Sequence, residues 1–248
     1  MGAMPGYIYA QDRAGIYVNL FVSSRAIIQL AGQQVAIKQV TDYPWQGEVQ
    51  ITVEPAKATE FNVHIRIPAW CQGRSSPDDL YQEANRPLDG VARLKVNGKV
   101  IENPEIVRGY ATVHRRWKSG DVVQLTLDMP VHRIKANSHV EADKGRVALM
   151  RGPLVYCLEG ADNGGAVKNL VIPAGAEFMP EYRSSLLGGV TVLQATATGV
   201  FQTPASAIVS VPFKVTAIPY YANANRGACQ MQVWMPEGQS GCSPQRQE

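Results

Sequence analysis

The sequence predicts an all-β chain, two antiparallel, jelly-roll-like β-sandwich domains in tandem, and three observations carry that expectation. Apolar and polar residues alternate over many short stretches, the pattern of strands with one buried and one wet face. Turn formers are abundant, with Gly 22 and Pro 16 in 248 residues, and long runs at helical spacing are lacking. The strands also outnumber those of a single sandwich, so the core must be divided.

Along the chain, strands are expected first at Ile16–Val22 and Val35–Val40. The alternation is strictest in Val49-Gln50-Ile51-Thr52-Val53 and in Phe61-Asn62-Val63-His64-Ile65-Arg66-Ile67, where each odd position is apolar. Ser76 followed by Pro77 reads as the start of a short helix over Pro77–Ala84. Arg93–Val96 and Lys99–Ile101 flank Asn97-Gly98, a pair that supplies the positive φ angles of a tight hairpin turn. Further strands follow at Tyr110–His114, Val123–Leu127, Val131–Ala136, Arg146–Met150, Leu154–Leu158, Val190–Ala195, Ile208–Ala217 and Gln230–Val233. Pro212 restricts its strand to an edge or a bulge. Gly145, Gly152 and Pro153 punctuate a second set of strands, which places a domain boundary near Asn137. The first sandwich then covers 15–137 and the second 138–237, and the polar residues 238–248 form a disordered tail.

Composition narrows the function. Lys+Arg 24 against Asp+Glu 21 gives +3, scattered singly, so a nucleic-acid partner is not expected. No apolar run approaches the roughly 18 residues of a membrane-spanning helix, and Met1–Ala10 lacks the regions of a signal peptide. Cys71, Cys157, Cys229 and Cys242 form no C-x-x-C pair. The first three sit beside apolar strand patterns and are expected to be buried free thiols, with Cys242 exposed in the tail.

The common catalytic signatures are absent: no nucleophile elbow, phosphate-cradling loop, dinucleotide fingerprint or zinc-binding helix occurs. His139 has carboxylates nearby at Glu141 and Asp143, an arrangement that suits a polar turn better than a metal site. Asp42, Glu105, Asp121 and Asp162 lie in turns, where carboxylates usually bond local amides, although a glycosidase can assemble two carboxylates from distant loops. Trp45, Trp70 and Trp117 stand at strand ends, either as core plugs or as stacking platforms for sugar rings. The last reading makes the chain a free-standing carbohydrate-binding module.

An ordered series of segments then adds a resemblance. Pro5-Gly6-Tyr7-Ile8-Tyr9-Ala10, Gly15-Ile16-Tyr17-Val18-Asn19-Leu20, Tyr43-Pro44-Trp45, Arg66-Ile67-Pro68-Ala69-Trp70, Val96-Asn97-Gly98 and Arg116-Trp117-Lys118-Ser119-Gly120-Asp121 fall in the first half. Gly145-Arg146-Val147-Ala148-Leu149, Arg151-Gly152-Pro153-Leu154-Val155-Tyr156 and Asn225-Arg226-Gly227 fall in the second. Together they resemble the C-terminal part of the family 127 glycoside hydrolases, whose characterised type is a β-L-arabinofuranosidase. The resemblance implies a helical barrel ahead of two β-sandwiches, with a cysteine nucleophile in an adjacent Cys-Cys pair, a glutamate acid/base and thiolate-bound zinc, all upstream of Pro5. It therefore carries no catalytic or metal-ligating residue onto this chain, and any zinc belongs to the missing catalytic domain. Residues 1–14 become a remnant of the last barrel helix, with Tyr7, Ile8 and Tyr9 exposed. The expected partners are that barrel, a second copy of the chain, and carbohydrate. The expected role is a non-catalytic scaffold and oligomer contact.

Overall fold

The computed structural model describes residues 4–30, 32–74, 76, 78–84 and 92–238. Apart from one helical turn at Pro5–Ile8 and four short 3-10 turns, the regular structure among them is β. In chain order the strands are β1 (Tyr9–Gln11), β2 (Gly15–Val18), β3 (Ser24–Leu30), β4 (Gln33–Thr41), β5 (Glu48–Pro55), β6 (Thr59–Arg66) and β7 (Tyr81–Glu83). There follow β8 (Ala92–Val96), β9 (Lys99–Ile101), β10 (Ile106–Val107), β11 (Tyr110–Trp117), β12 (Asp121–Leu127), β13 (Val131–Ala136) and β14 (Arg146–Arg151). The last seven are β15 (Leu154–Glu159), β16 (Leu170–Pro173), β17 (Met179–Arg183), β18 (Val190–Gln202), β19 (Ile208–Pro219), β20 (Met231–Gln232) and β21 (Met235–Gly238).

The chain divides into two compact units, Met1–Gly73 with Pro87–Met129, and Arg74–Arg86 with Pro130–Glu248. In the first, a five-stranded sheet in the order β1-β2-β6-β11-β10 and a six-stranded sheet in the order β3-β4-β5-β12-β8-β9 supply the two layers. Alternation decides which residues fill the core. Phe61, Val63 and Ile65 of β6 are buried, and Val49, Ile51 and Val53 of β5 join them in one cluster. Trp117 is fully buried there and donates its indole N–H to the Phe61 carbonyl at 2.9 Å. The Asn97-Gly98 turn has φ of 50° and 78° and joins β8 to β9 with Val96 opposite Lys99. One pairing departs from an all-antiparallel sheet, since β2 runs parallel to β6.

In the second unit β14 pairs with β15 on one side and β21 on the other. Pairings β15–β19, β19–β18, β18–β16 and β16–β21 complete a ring of six strands. Each contributes to the enclosed core, including Leu149, Leu158, Leu170, Leu193, Val215 and Met235.

Four expectations change. Val131–Ala136 pairs with Arg146–Arg151, so the chain passes to the second unit at Met129–Pro130 and not near Asn137. The short helix expected over Pro77–Ala84 is replaced by β7, because ladder bonds to β13 such as Ala84 N–H to the Arg133 carbonyl at 2.7 Å outweigh an isolated helical turn; Pro77 itself lies outside the described residues. After Pro5–Ile8 the N-terminal segment joins the sheet as β1. Ile8 is buried, and the Tyr9 hydroxyl is held by Ser24 Oγ at 3.0 Å and Gln39 Nε2 at 2.9 Å, which leaves Tyr7 as the exposed ring. Gly238 ends β21, while 239–248, with Cys242, lie outside the described residues.

Candidate functional site

The five-stranded sheet of the first unit presents a polar, ring-bearing outer face, made by the residues that alternate with its core positions. On β6 these are Glu60, Asn62, His64 and Arg66, and on β11 they are Tyr110, Thr112, His114 and Arg116. The register sets Tyr17, His64 and Thr112 side by side on β2, β6 and β11. Tyr17 stacks on His64 with ring centroids 4.1 Å apart and planes 14° apart, and His64 Nδ1 lies 2.8 Å from Thr112 Oγ1. Tyr110 meets Tyr17 edge-on at 5.3 Å, its hydroxyl donates to Asn19 Oδ1 at 2.8 Å, and the Arg66 guanidinium lies over its ring. Asp12 closes one end by accepting from the Tyr17 hydroxyl at 2.9 Å and from the Ala14 and Gly15 amides. On the next row His114 bridges Asn62 at 2.7 Å and Glu60 at 2.9 Å.

Local sequence explains this assembly. Gly15 lets β2 run close to β6, since a Cβ there would stand 2.2 Å from the Asn62 carbonyl oxygen. Electrostatics follow from the same contacts. The Ala14 amide and the Tyr17 hydroxyl hold the Asp12 carboxyl below its ordinary value, and partial burial lowers His64. This face offers flat rings flanked by amide, imidazole, hydroxyl and guanidinium groups, suited to a polar partner surface. The alternation of β6 marked its outward residues, but the parallel alignment that brings in Tyr17 crosses some 47 positions and leaves no local signal.

The residues singled out from sequence are dispersed. Trp117 presents no surface to solvent, which removes it as a sugar platform, and its indole serves the core. Trp70 is also buried, in the same core that takes the Tyr43 ring, whose hydroxyl is pushed up to about 12 by burial. Trp45 is half-buried, on a loop held by its amide to the Asp42 carbonyl at 2.8 Å. Asp42 and Glu105 are exposed. Asp121 accepts from the Lys118 amide and Asn97 Nδ2, both at 2.9 Å. Burial alone raises its carboxyl, but these bonds and Arg115 outweigh burial and hold it below its ordinary value. Asp162 is claimed by Arg226, which also binds Glu159 Oε2 at 2.7 Å. His139 takes part in a turn in which its amide bonds Asn137 Oδ1.

Among the described residues no three His, Cys, Asp or Glu side chains converge to hold a metal ion. Cys71 is half-buried and Cys157 buried, and burial pushes both thiols up to about 12, so neither is a thiolate near neutrality. Cys229 is exposed, contrary to expectation, because it lies in the irregular segment ahead of β20. No helix among the described residues is long and apolar enough to cross a membrane.

Comparison with known proteins gives two family matches that tile the chain. Residues 15–129 match the profile described as beta-L-arabinofuranosidase, GH127 middle domain, and residues 131–236 match the glycoside hydrolase family 127 C-terminal domain. A non-reducing end beta-L-arabinofuranosidase of Bifidobacterium longum subsp. longum is 32% identical over 92% of this chain and 34% of its own length. A solved GH127 beta-arabinofuranosidase superposes with a TM-score of 0.90 at 36% identity, covering 95% of this chain and 37% of that one. A GH127 beta-L-arabinofuranosidase from Geobacillus stearothermophilus gives 0.82 at 37% identity, with 95% and 36% covered. The chain thus spans about a third of the length of these relatives.

Proposed function

The chain belongs to glycoside hydrolase family 127, and we propose from that premise that it forms the non-catalytic β-sandwich portion of a β-L-arabinofuranosidase-like hydrolase. In the longer enzyme, a catalytic domain of the kind that precedes the middle domain would release terminal arabinofuranosyl or related groups. These sandwiches would serve as its scaffold and as an oligomer contact. The single observation behind this reading is the tiling of middle and C-terminal family domains over 15–129 and 131–236, on a chain spanning only about a third of its relatives. The chemistry of the described side chains is consistent with it. The Cys71 and Cys157 thiols are held neutral by burial, and Asp121 and Asp162 are occupied by local bonds.

The outer face around Tyr17, His64 and Tyr110 is the seat proposed for the catalytic domain. β1 is one of the two edge strands of this sheet, so a domain joined ahead of Pro5 would emerge beside it. Its rings are already ordered by Asp12, Thr112 and Asn19, which lowers the entropy cost of docking. The test is to produce the catalytic domain as a separate chain and titrate it with this one. The expected result is a complex that hydrolyses an aryl β-L-arabinofuranoside and is weakened by His64→Ala. A catalytic domain that binds the His64→Ala chain as tightly as the unaltered one would refute this face as the seat.

A further inference from the structure

The second unit carries on its surface a groove of about 550 Å³, within the range of roughly 300–1,000 Å³ common to small-molecule sites. Strand register lays its floor. Residues paired across antiparallel strands share a face, so Met179 of β17, Gln194 of β18 and Thr216 of β19 form one row, and Thr196 with Lys214 begins the next. Glu177, two positions ahead of Met179, also lines the groove. Asp162 lines it from the 3-10 turn Gly160–Asp162. That turn is fastened to the floor by the buried Asn163, whose Oδ1 accepts from the Thr216 amide at 2.9 Å and whose Nδ2 donates to the Thr216 carbonyl at 3.0 Å. Arg226 in turn holds Asp162 Oδ1 at 2.7 Å.

The lining mixes hydrogen-bond roles and balances its charge. Carboxylates only accept, the Lys214 ammonium only donates, and the Gln194 amide and the two threonine hydroxyls do both. Among the described residues the side chains of Glu177, Gln194, Thr196, Lys214 and Thr216 have no hydrogen-bond or ion-pair partner, which leaves them available to a ligand. Charge narrows the class. Asp162 is neutralised by Arg226, and Glu177 offsets Lys214 within the groove, so neither an anion nor a cation is favoured on entry. Met179, 65% exposed, adds a soft apolar surface beside Ala195 and Val215. A wholly apolar ligand would strand the polar lining. A sugar offers the complement, because its hydroxyls both donate and accept while the C–H faces of its ring are apolar.

We propose that this groove binds a short neutral saccharide. Such binding is a property of the second unit alone and adds to the scaffold role without depending on it. The half-buried Gln194 and Thr216 fix the ligand's orientation from the floor, the tethered Asp162 accepts from its hydroxyls at one side, and the exposed Lys214 and Glu177 close over it from the other rows. No aromatic ring lines the groove among the described residues, which keeps the expected affinity in the millimolar range.

NMR titration of the whole chain, carrying isotope-labelled methionine methyl groups, with D-galactose and with L-arabinose tests this. Met179→Leu identifies the Met179 resonance. The expected result is a saturable shift of that signal with at least one of the two sugars, weakened about five- to tenfold by Gln194→Ala or Lys214→Ala. Circular dichroism checks that each variant keeps its fold. D-galacturonate, the same ring with a charge, is expected to bind no more tightly than D-galactose. Absence of a saturable shift with both neutral sugars overturns the site. A shift that neither Gln194→Ala nor Lys214→Ala weakens overturns this groove as its source, and tighter binding of D-galacturonate than of D-galactose overturns the neutral ligand class.

Discussion

The two units of this chain are held together by different means. The first is a largely apolar sandwich: its core runs from Ile16 and Val18 through Trp117 to Leu125 and Leu127, with the Arg115–Asp121 pair at 3.5 Å set at its margin. The second places charge inside its framework. Arg226 joins Glu159 and Asp162, and Ala224 adds its amide to Glu159 Oε1 at 2.7 Å. Arg133 donates to the Ala176 and Pro173 carbonyls, both at 3.0 Å, and to Glu237 Oε1 at 3.1 Å, while Lys135 reaches Glu237 Oε2 at 2.6 Å. The difference follows from topology. Where neighbouring strands are mostly hairpin-linked, alternation and burial hold the layers. Where segments such as 220–238 must be fastened to strands far back in the chain, directional ion pairs fix their place.

This contrast is broken most severely at Trp117. Trp117→Ala removes a fully buried indole and its bond to Phe61, and is expected to destabilise the first unit by about 3–5 kcal/mol, measured by urea unfolding. Arg226→Ala should act on the second unit, because Glu159, only 1% exposed at its side chain, loses its cation; the expected loss is about 3 kcal/mol. Hydrogen exchange then separates the two cases, with Trp117→Ala loosening β6 and β11 and Arg226→Ala loosening β15 and β20. Equal loosening of both units by either substitution would mean that the contrast does not hold.

A gentler probe is acid. The folded-state value of Asp121 is depressed, so its stabilising contribution is complete above the ordinary value of 3.8 and is lost as pH falls through the folded value. Asp121→Asn should therefore be less stable than the unaltered chain at neutral pH, with the gap narrowing in acid below 3.8, as followed by thermal melts. The smallest stability effect is expected at the outer face. His64→Ala should change stability by no more than about 0.5 kcal/mol while weakening capture of the catalytic domain, a split that a purely structural histidine would not give.

Much of the first unit was legible because its rules are local. Asn97-Gly98 fixed a hairpin by backbone chemistry alone, and the alternation of 61–67 separated core from surface one residue at a time. The parallel β2–β6 pairing was not legible, since strand direction across a long connection leaves no period in the sequence. β17 escaped for another reason: four of its five residues are exposed and the fifth half-buried, so no alternation marks it. Arg226 stood in a recognised Asn-Arg-Gly segment, yet its carboxylate partners lie 64 and 67 positions away. Trp70 and Trp117, open in sequence to being core plugs or sugar platforms, turn inward, whereas the half-buried rings of the outer face belong to two tyrosines and a histidine spread over three strands.

The central claim is that this chain supports catalysis without performing it. Its most direct test is turnover of an aryl β-L-arabinofuranoside by the purified chain alone, with and without added zinc. The account requires no hydrolysis above the uncatalysed rate under either condition. Hydrolysis that scales with the concentration of this chain and survives repeated purification would contradict it.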